Sequence, residues 1–291
     1  FNNKEAELMY QNATKIYLAN SFIIKAAETS RYLGMLYESS LNDYQKALDL
    51  YDKALAIISK DESSVKSESK SKSDESLQSL KFQLMIDRAR IYRQIGEFDI
   101  AHAILQDVDK SIVKYSDKFL QMYLEKARIY WYRGDYVEAV AVAKASVKMA
   151  EKQQSTFSEI QALSLLGLIY LNQGSLDKAE QLLNDALILS KRTDRQAEIA
   201  SQLNNLGFLQ QTKGNYQQAI DYFKQALVID RQLSDQKGIA FDLRNLSKSY
   251  IGQNDLLRAR KNLLQALEIS RKISNRYNEL MTLLALGEID L

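Results

Sequence analysis

Few residues in this sequence could carry acid–base or metal chemistry. His102 is the only histidine and cysteine is absent, so a metal site of imidazole and thiolate ligands, or a proton relay, lacks enough members. Two acidic residues each precede an arginine by three positions, the spacing of an ordinary ion pair on a helix. These pairs are Asp87–Arg90 and Glu125–Arg128. The ten glycines occur singly and form no phosphate-binding loop. We therefore expect no catalysis, no cofactor and no bound metal.

Binding chemistry is better represented, in the form of carboxamide and basic side chains. Asn205 and Asn245 lie 40 residues apart, and a carboxamide offers both the donor and the acceptor that an extended peptide backbone requires. The two asparagines either clamp a main chain or are polar residues of an exposed helix face. Arg244 and Lys248, on either side of Asn245, either receive a ligand carboxylate or are the basic residues that helix surfaces ordinarily carry.

Large apolar side chains supply a second kind of contact. Trp131 and Tyr132 lie side by side in the sequence. Together with Leu168 and Phe208 they predict an apolar floor on which an aromatic or aliphatic ligand residue could anchor. The alternative is packing between neighbouring helices, which we favour for Leu168 but not for Trp131. The indole N–H of Trp131 also needs an acceptor, which a ligand-binding groove would supply.

A regular series of turn residues positions these side chains. Each turn residue is small or polar and is followed five positions later by an alanine, and from residue 134 onward the turns fall 40 residues apart. The six turn residues are Asn42, Gly96, Gly134, Gly174, Gly214 and Asn254. A unit of this length holds one helical hairpin, which cannot bury its apolar face alone and must stack on its neighbours.

The clearest unit places small and large residues where its two helices meet. Gly207 has no side chain and lets the helices approach closely, and Phe223 fills the space between two alanines of the second helix. Gly214, between the helices, can adopt the left-handed conformation that ends a helix. The chain contains no proline, so little interrupts helix formation. The sequence therefore predicts an all-α stack of antiparallel helix pairs.

Charge and hydropathy argue against two classes of partner. The 39 basic and 37 acidic residues leave a formal charge of +2, far from the basic footprint of a nucleic-acid-binding protein. Apolar stretches such as residues 22–24 are much shorter than the roughly 20 residues that cross a bilayer. We expect no direct nucleic-acid partner and no membrane insertion. The absence of cysteine leaves the compartment open, and we favour a soluble cytoplasmic protein over a periplasmic or secreted one.

The recurring order of residues resembles that of the tetratricopeptide repeat (TPR) family. That order is leucine, glycine, tyrosine, glycine, aromatic, alanine, aromatic, alanine, and it covers nearly the whole chain. The chain departs from the family in lacking the proline near the end of the second helix and in its period of 40 residues, where about 34 is usual. Long repeats of this kind resemble those of bacterial peptide-sensing regulators, kinesin light chains and spindle-orientation complexes. The resemblance implies a right-handed superhelical solenoid whose first helices line a concave groove, and it favours the clamp role for the two asparagines.

We predict a single solenoid over residues 1–291. Full repeats are expected at 21–59, 77–115, 116–155, 156–195, 196–235 and 236–275, with the second helix of a truncated repeat at 1–20 and the first helix of another at 276–291. Because both ends fall inside repeats without a capping helix, we expect a longer solenoid or self-association through the ends. The serine-, lysine- and glutamate-rich residues 60–76 form a surface loop or helix extension, which we favour over a regulatory phosphorylation segment.

These features predict a non-enzymatic scaffold for protein–protein or protein–peptide interaction, which holds a segment of its partner in the groove. The alternative is a ligand- or peptide-sensing module that regulates a fused or associated kinase, phosphatase or DNA-binding domain. The candidate contact residues lie on first helices and point away from the core of their own repeat. They are Arg128, Trp131, Tyr132, Asn172, Asn204, Asn205, Phe208, Gln211, Thr212, Arg244, Asn245 and Lys248.

Overall fold

The computed structural model describes residues 3–38, 43–64, 72–111, 117–273 and 275–289. These residues form fourteen α-helices and no strand. In chain order the helices are α1 (Asn3–Ala19), α2 (Ile23–Leu36), α3 (Tyr44–Ser64), α4 (Lys72–Gln94), α5 (Phe98–Ser111), α6 (Asp117–Arg133), α7 (Tyr136–Lys152), α8 (Thr156–Asn172), α9 (Leu176–Arg192), α10 (Gln196–Thr212), α11 (Tyr216–Gln232), α12 (Gln236–Gly252), α13 (Leu256–Lys272) and α14 (Arg276–Ile289). The predicted turn residue Asn42 and residues 65–71 of the predicted insertion lie outside the described ranges.

The helices group into two compact units, Phe1–Asp135 and Tyr136–Leu291, which we call unit 1 and unit 2. In unit 1, α2 packs on α3 and α4 on α5; in unit 2, α8 packs on α9, α10 on α11 and α12 on α13. The first helices of successive pairs also contact one another, α2 with α4 and α4 with α6 in unit 1, and α8 with α10, α10 with α12 and α12 with α14 in unit 2. Each unit is thus a stack of antiparallel helix pairs, and the predicted all-α fold class is confirmed.

Gly214 adopts the left-handed backbone that the sequence predicts, and Asn254, at the equivalent turn, does so too. Gly214 has a φ of +79° and Asn254 a φ of +60°. Just after Gly214, the backbone N–H of Asn215 donates to the carbonyl of Gln210 at 2.8 Å, which satisfies a carbonyl that the helix end would otherwise leave unpaired. These turns bring the second helix of each pair back along the first.

A small residue facing a large one sets the distance between the helices of a pair. Phe223 has no exposed surface, and a Cβ atom added to Gly207 would lie 2.6 Å from its ring. Gly34 and the fully buried Tyr51 make the equivalent contact in unit 1. The close approach predicted at Gly207 is confirmed, and it leaves no room for even one methyl group.

Gly207→Ala should therefore destabilise the protein. The added Cβ would overlap the Phe223 ring, and overpacking of this kind typically costs roughly 1–3 kcal/mol. Urea unfolding would measure the loss. Gly287→Ala is the matched control, because Gly287 occupies the equivalent position of α14 and has no atom within 4 Å of an added Cβ. The control should be neutral or stabilising by up to about 1 kcal/mol, since alanine favours a helix over glycine. Equal stability changes in the two variants would contradict the role given to this contact.

Candidate functional site

The first-helix face of unit 2 carries most of the predicted contact residues. We use this name for the side of α8, α10, α12 and α14 that does not pack on the second helices. Four predicted residues there are exposed: Asn172, Phe208, Thr212 and Lys248. Asn205 and Gln211 are half-buried, so their side chains are only partly available to a partner.

Asn204, Arg244 and Asn245 are more covered than the sequence predicts. Each keeps only 9% of its surface exposed, because neighbouring first helices pack against one another. The guanidinium of Arg244 lies 5.3 Å from the ring of Phe241, and its Nη1 donates to Oδ1 of Asn278 on α14 at 3.2 Å. Burial also lowers the pKa of Arg244. Neighbouring first helices therefore cover these three residues, and their role as contact residues stays a prediction.

The two asparagines of the predicted clamp differ in how far the fold already uses them. The Nδ2 of Asn205 donates to the hydroxyl of Ser164 at 3.0 Å and to Oε1 of Gln202 at 3.3 Å, which leaves its Oδ1 as a free acceptor within the described part of the chain. The carboxamide of Asn245 makes no hydrogen bond with the described residues; only its backbone carbonyl is used, by Gln211 and Ser249. Among the described residues, Asn205 thus keeps one free acceptor, and the carboxamide of Asn245 keeps both its donor and its acceptor free.

Gln211 and Thr212 already serve the layer of first helices. The Nε2 of Gln211 donates to the hydroxyl of Ser249 at 2.9 Å and so joins α10 to α12. The hydroxyl of Thr212 donates to the carbonyl of Phe208 at 2.9 Å, within its own helix. The donor group of Gln211 is thus used between two first helices, and the donor group of Thr212 is used within its own helix.

An open pocket of about 400 Å³ lies among α10, the end of α11, α12 and the start of α14. Asn204, Asn205 and Phe241 line it from the first helices, and Asp230 and Asp235 contribute carboxylates. Asp235 also caps α12, because its side chain accepts a hydrogen bond from the backbone N–H of Lys237 at 3.0 Å. The pocket thus brings carboxamide and carboxylate groups together on one part of the first-helix face.

Next to Asn204 and Asp230 of this pocket lies a carboxyl group that the sequence analysis missed. Asp242 has no exposed surface, and no donor is in standard hydrogen-bond geometry with its carboxyl oxygens or with the buried Oδ1 of Asn204. Asp242 lies within hydrogen-bonding reach of Asn204 and of the carboxyl group of Asp230, with which it can share a proton. Burial, with the nearby charge of Asp230, raises the pKa of Asp242 to about 8. Burial and the charge of Asp235 raise the pKa of Asp230 in the same direction. Comparison of repeat positions, at which Asp242 corresponds to Thr282 and Gln202, would have singled out this residue.

In unit 1, acidic partners on the first helices engage the predicted residue Arg128 and its neighbours. Arg128 lies 3.4 Å from Glu125, as its spacing predicts, and Arg93 of α4 also pairs with Glu125. The second predicted ion pair, between Asp87 and Arg90, is present at 2.7 Å. Arg128 and Arg93 therefore share the single carboxylate of Glu125, and burial with the nearby charges of Arg93 and Arg90 lowers the pKa of Arg128.

The aromatic pair of unit 1 is partly available. The rings of Trp131 and Tyr132 lie 5.0 Å apart; Trp131 is half-buried, and Tyr132 is 57% exposed beneath the guanidinium of Arg93. Leu168 and Phe208 belong to unit 2. An apolar floor that joins the four residues stays a prediction.

The remaining candidate for acid–base chemistry packs against an aromatic ring. The His102 imidazole lies 5.4 Å from the ring of Tyr130, and its Nδ1 is buried without a partner. Burial and the charge of Lys126 lower the pKa of His102. No cluster of three or more histidine, cysteine, aspartate or glutamate residues in the described ranges is arranged to hold a metal ion. None of the helices, over the residues described, combines the length and apolar character needed to cross a membrane.

Asp242→Thr, which copies Thr282 of α14, should change how stability depends on pH. Because the folded state holds the proton of Asp242 more tightly than the unfolded state does, the parent chain should lose stability as pH rises from about 5 to 8. The groups facing Asp242 are Asp230 and Asp235. Over this pH range, urea unfolding should show the free energy of unfolding of the variant rising relative to that of the parent by on the order of 1–3 kcal/mol. The exposed Asp185→Thr serves as control. A parent–variant difference that stays constant with pH would contradict the assignment.

Two family models match this sequence. Residues 121–290 match the MalT-like TPR region, and residues 32–174 match the tetratricopeptide repeat protein 21 ARM repeat. Comparison with curated proteins gives no match.

Three solved structures illustrate proteins of similar fold. The TPR-like repeats of a kinesin light chain from P. anserina share 21% identity over 66% of this chain and 96% of that chain, with a TM-score of 0.52. The Rap conjugation gene regulator of the plasmid pLS20, solved with a bound peptide, shares 16% identity over 96% of this chain and 78% of that chain, with a TM-score of 0.62. A signal transduction ATPase from Pyrococcus horikoshii with a tetratricopeptide repeat sensor shares 15% identity over 97% of this chain but only 42% of that chain, with a TM-score of 0.65. At these identities the likeness shows the fold alone.

The MalT-like match covers more than half of the 291 residues. The helix pairs, the left-handed turns and the contacts of small with large residues agree with it. The protein therefore belongs to the family of MalT-like TPR regions.

Proposed function

We propose that this chain is a non-catalytic interaction scaffold, which binds an extended peptide segment of a protein partner on the first-helix face of unit 2. The observation that carries the proposal is the pair of equivalent asparagines with unused hydrogen-bonding capacity. Asn245 has a carboxamide without a partner in the described residues, and Asn205 has a free Oδ1. A peptide main chain presents a donor and an acceptor at each residue, which is the complement of these groups.

Exposed aromatic rings on the same face support a peptide ligand. Phe208 of α10 is 42% exposed and Phe241 of α12 is 41% exposed. An aromatic side chain next to polar groups can anchor an apolar residue of a partner at little cost in conformational entropy. Hydrogen bonds from the asparagines would then set the register of the peptide, and the rings would supply apolar contact area.

Similarity of fold supports the same class of ligand. The Rap regulator with a TM-score of 0.62 was solved in complex with a peptide. A shared fold does not transfer a specificity, so we take from this likeness only that a stack of this kind can hold a peptide.

The alternative proposal is a sensor, in which peptide binding changes the conformation of the unit and thereby controls the activity of an attached or associated domain. The fold of the Pyrococcus horikoshii ATPase, which has a tetratricopeptide repeat sensor, supports it. Small-angle scattering with and without a bound peptide separates the two proposals. A changed distance distribution would favour the sensor, and an unchanged one the scaffold.

The asparagine pair can be tested by selecting peptides from a displayed library of random decapeptides. The double substitution Asn205→Ala and Asn245→Ala should lower the affinity for the selected peptides tenfold or more, because each lost hydrogen bond typically removes about 1 kcal/mol of binding free energy. Fluorescence anisotropy of a labelled selected peptide would measure the dissociation constant.

The matched control is the double variant Gln181→Ala and Gln225→Ala. It removes two exposed carboxamides from the second helices α9 and α11, and it should leave the dissociation constant unchanged. Failure of the library to enrich any peptide, or equal affinity for the parent and the asparagine variant, would overturn the proposal.

A further inference from the structure

Two buried carboxyl groups of unit 2 occupy repeat positions that are neutral in its other repeats. Asp230, at the end of α11, corresponds to Ser190 and Ser270, which are fully buried. Both serines donate their hydroxyl groups to the carbonyl four residues earlier in their own helix, at 2.7 Å, so the position needs no charge. A carboxyl group that replaces a buried serine loses its hydration. The fold alone therefore gives no reason for Asp230.

The same holds for Asp242, in the middle of α12. The equivalent residues are Ala162 of α8, Gln202 of α10 and Thr282 of α14, all buried and neutral. Only in the repeat formed by α12 is this position acidic. Because Asp242 has no exposed surface, its carboxyl group is as poorly hydrated as that of Asp230.

A third unusual residue makes room for the pair. Gly238 corresponds to Glu198 and Asn278 in the neighbouring repeats. A Cβ atom added to Gly238 would lie 2.6 Å from Cγ of Asp230, so a side chain here would displace the carboxyl group. Three residues thus depart from the repeat pattern at one place, and two of them are acidic while the third accommodates the acid.

Two of these three residues line the open pocket described above, and the third, Asp242, lies next to Asp230. Asp230, Asp235 and Gly238 line it. In the described part of the chain, none of Asp230, Asp235 and Asp242 forms an ion pair with a basic residue, although Lys237 also lines the pocket. Asn204, which lines the pocket, has a buried Oδ1 without a donor, and the neighbouring carboxyl group of Asp242 has no basic partner in the described residues. Buried acceptors of this kind are rare in folded proteins and indicate a missing donor.

We propose that this pocket binds a cationic side chain of the peptide, a lysine ammonium or an arginine guanidinium. The inference rests on the proposed function and names the chemistry of one ligand residue. Either group carries several N–H donors and a positive charge, which together match the unpaired oxygens and the acidic lining. Its volume of about 400 Å³ admits one such side chain. The absence of a metal-type cluster in the described ranges favours an organic cation over a metal ion.

Titration with capped amino acids tests the pocket without knowledge of the peptide. The probes are the N-acetyl methylamides of arginine and lysine, and the control is that of citrulline, which keeps the shape of arginine but lacks its charge. In amide-detected NMR, a cationic probe should shift the backbone signal of Gly238 and the side-chain signals of Asn204 and Asn278. Citrulline should bind at least tenfold more weakly, since hydrogen bonds that involve a charged group contribute more than neutral ones.

Variants taken from the chain's own repeats separate a binding role from a structural one. Asp230→Ser copies Ser190, and Asp242→Thr copies Thr282. Each substitution should lower the affinity for the cationic probe tenfold or more. The midpoint of unfolding should stay equal or rise, because a buried carboxyl group without a basic partner is removed. Equal binding of citrulline and arginine, or unchanged affinity in both variants, would overturn the proposal. A lower unfolding midpoint with unchanged probe binding would overturn it as well, because the acids would then be structural.

Failure of this inference can be told apart from failure of the proposed function. Selected peptides that lack lysine and arginine, and that bind Asp230→Ser as well as the parent, would overturn the cation pocket and leave the peptide scaffold standing. Selected peptides with a lysine or arginine at one fixed position would support it if Asp230→Ser lowers their affinity tenfold or more. The loss of affinity should be smaller for a peptide that carries citrulline at that position. A library that enriches nothing would overturn the scaffold and, with it, the assignment of the cation to a peptide.

Discussion

The helix pairs α2–α3, α8–α9 and α10–α11 depend on one close contact, in which a glycine of the first helix faces a large residue of the second. Gly207 against Phe223 and Gly34 against Tyr51 are the tightest cases. Where the large residue is a leucine, the contact relaxes: a Cβ on Gly167 would lie 3.0 Å from Leu183. At the next equivalent position a serine replaces the glycine, and the hydroxyl of Ser247 donates to the carbonyl of Ala259 on the second helix at 3.0 Å. The separation within the pairs, and hence the layer of first helices, follows from this contact.

Much of the fold could be predicted because it depends on local spacing. The left-handed turns at Gly214 and Asn254 and the contact of Gly207 with Phe223 recur with the period, so one sequence reveals them. The burial of Arg244 could not be predicted in this way, because α14 covers it and packing between successive first helices leaves no signature within one helix. The importance of Asp242 was missed for a different reason: its position is buried and polar in two neighbouring repeats, and only comparison across repeats shows that its charge is unusual.

The most buried charged groups have different partners in the two units. In unit 1, acids and bases meet directly: Asp87 lies between Arg31, at 2.5 Å, and Arg90, at 2.7 Å, and Glu125 contacts two further arginines. In unit 2, Arg244 lies between aromatic rings, and the carboxyl groups of Asp230 and Asp242 have no basic partner in the described residues. Paired charges mainly fix the positions of helices. A buried carboxyl group without a basic partner tends to keep its proton, as the raised pKa of Asp242 indicates, and an incoming cation would favour its ionised form.

The exchange of residues at 230, 238 and 242 leaves the packing contacts of its repeat unchanged, since Phe223, Ala219 and Ala226 remain fully buried around it. The residues that set the packing of the repeat are therefore different from those that make the pocket acidic. Over evolutionary time, two or three point mutations could create or remove an acidic pocket in any repeat, while the residues that pack the helices (the frame) change independently by neutral substitution. Ancestry inferred from the frame would then say little about what each descendant recognises. A comparison of positions across repeats within one chain would be a better guide to its ligand than overall resemblance between chains.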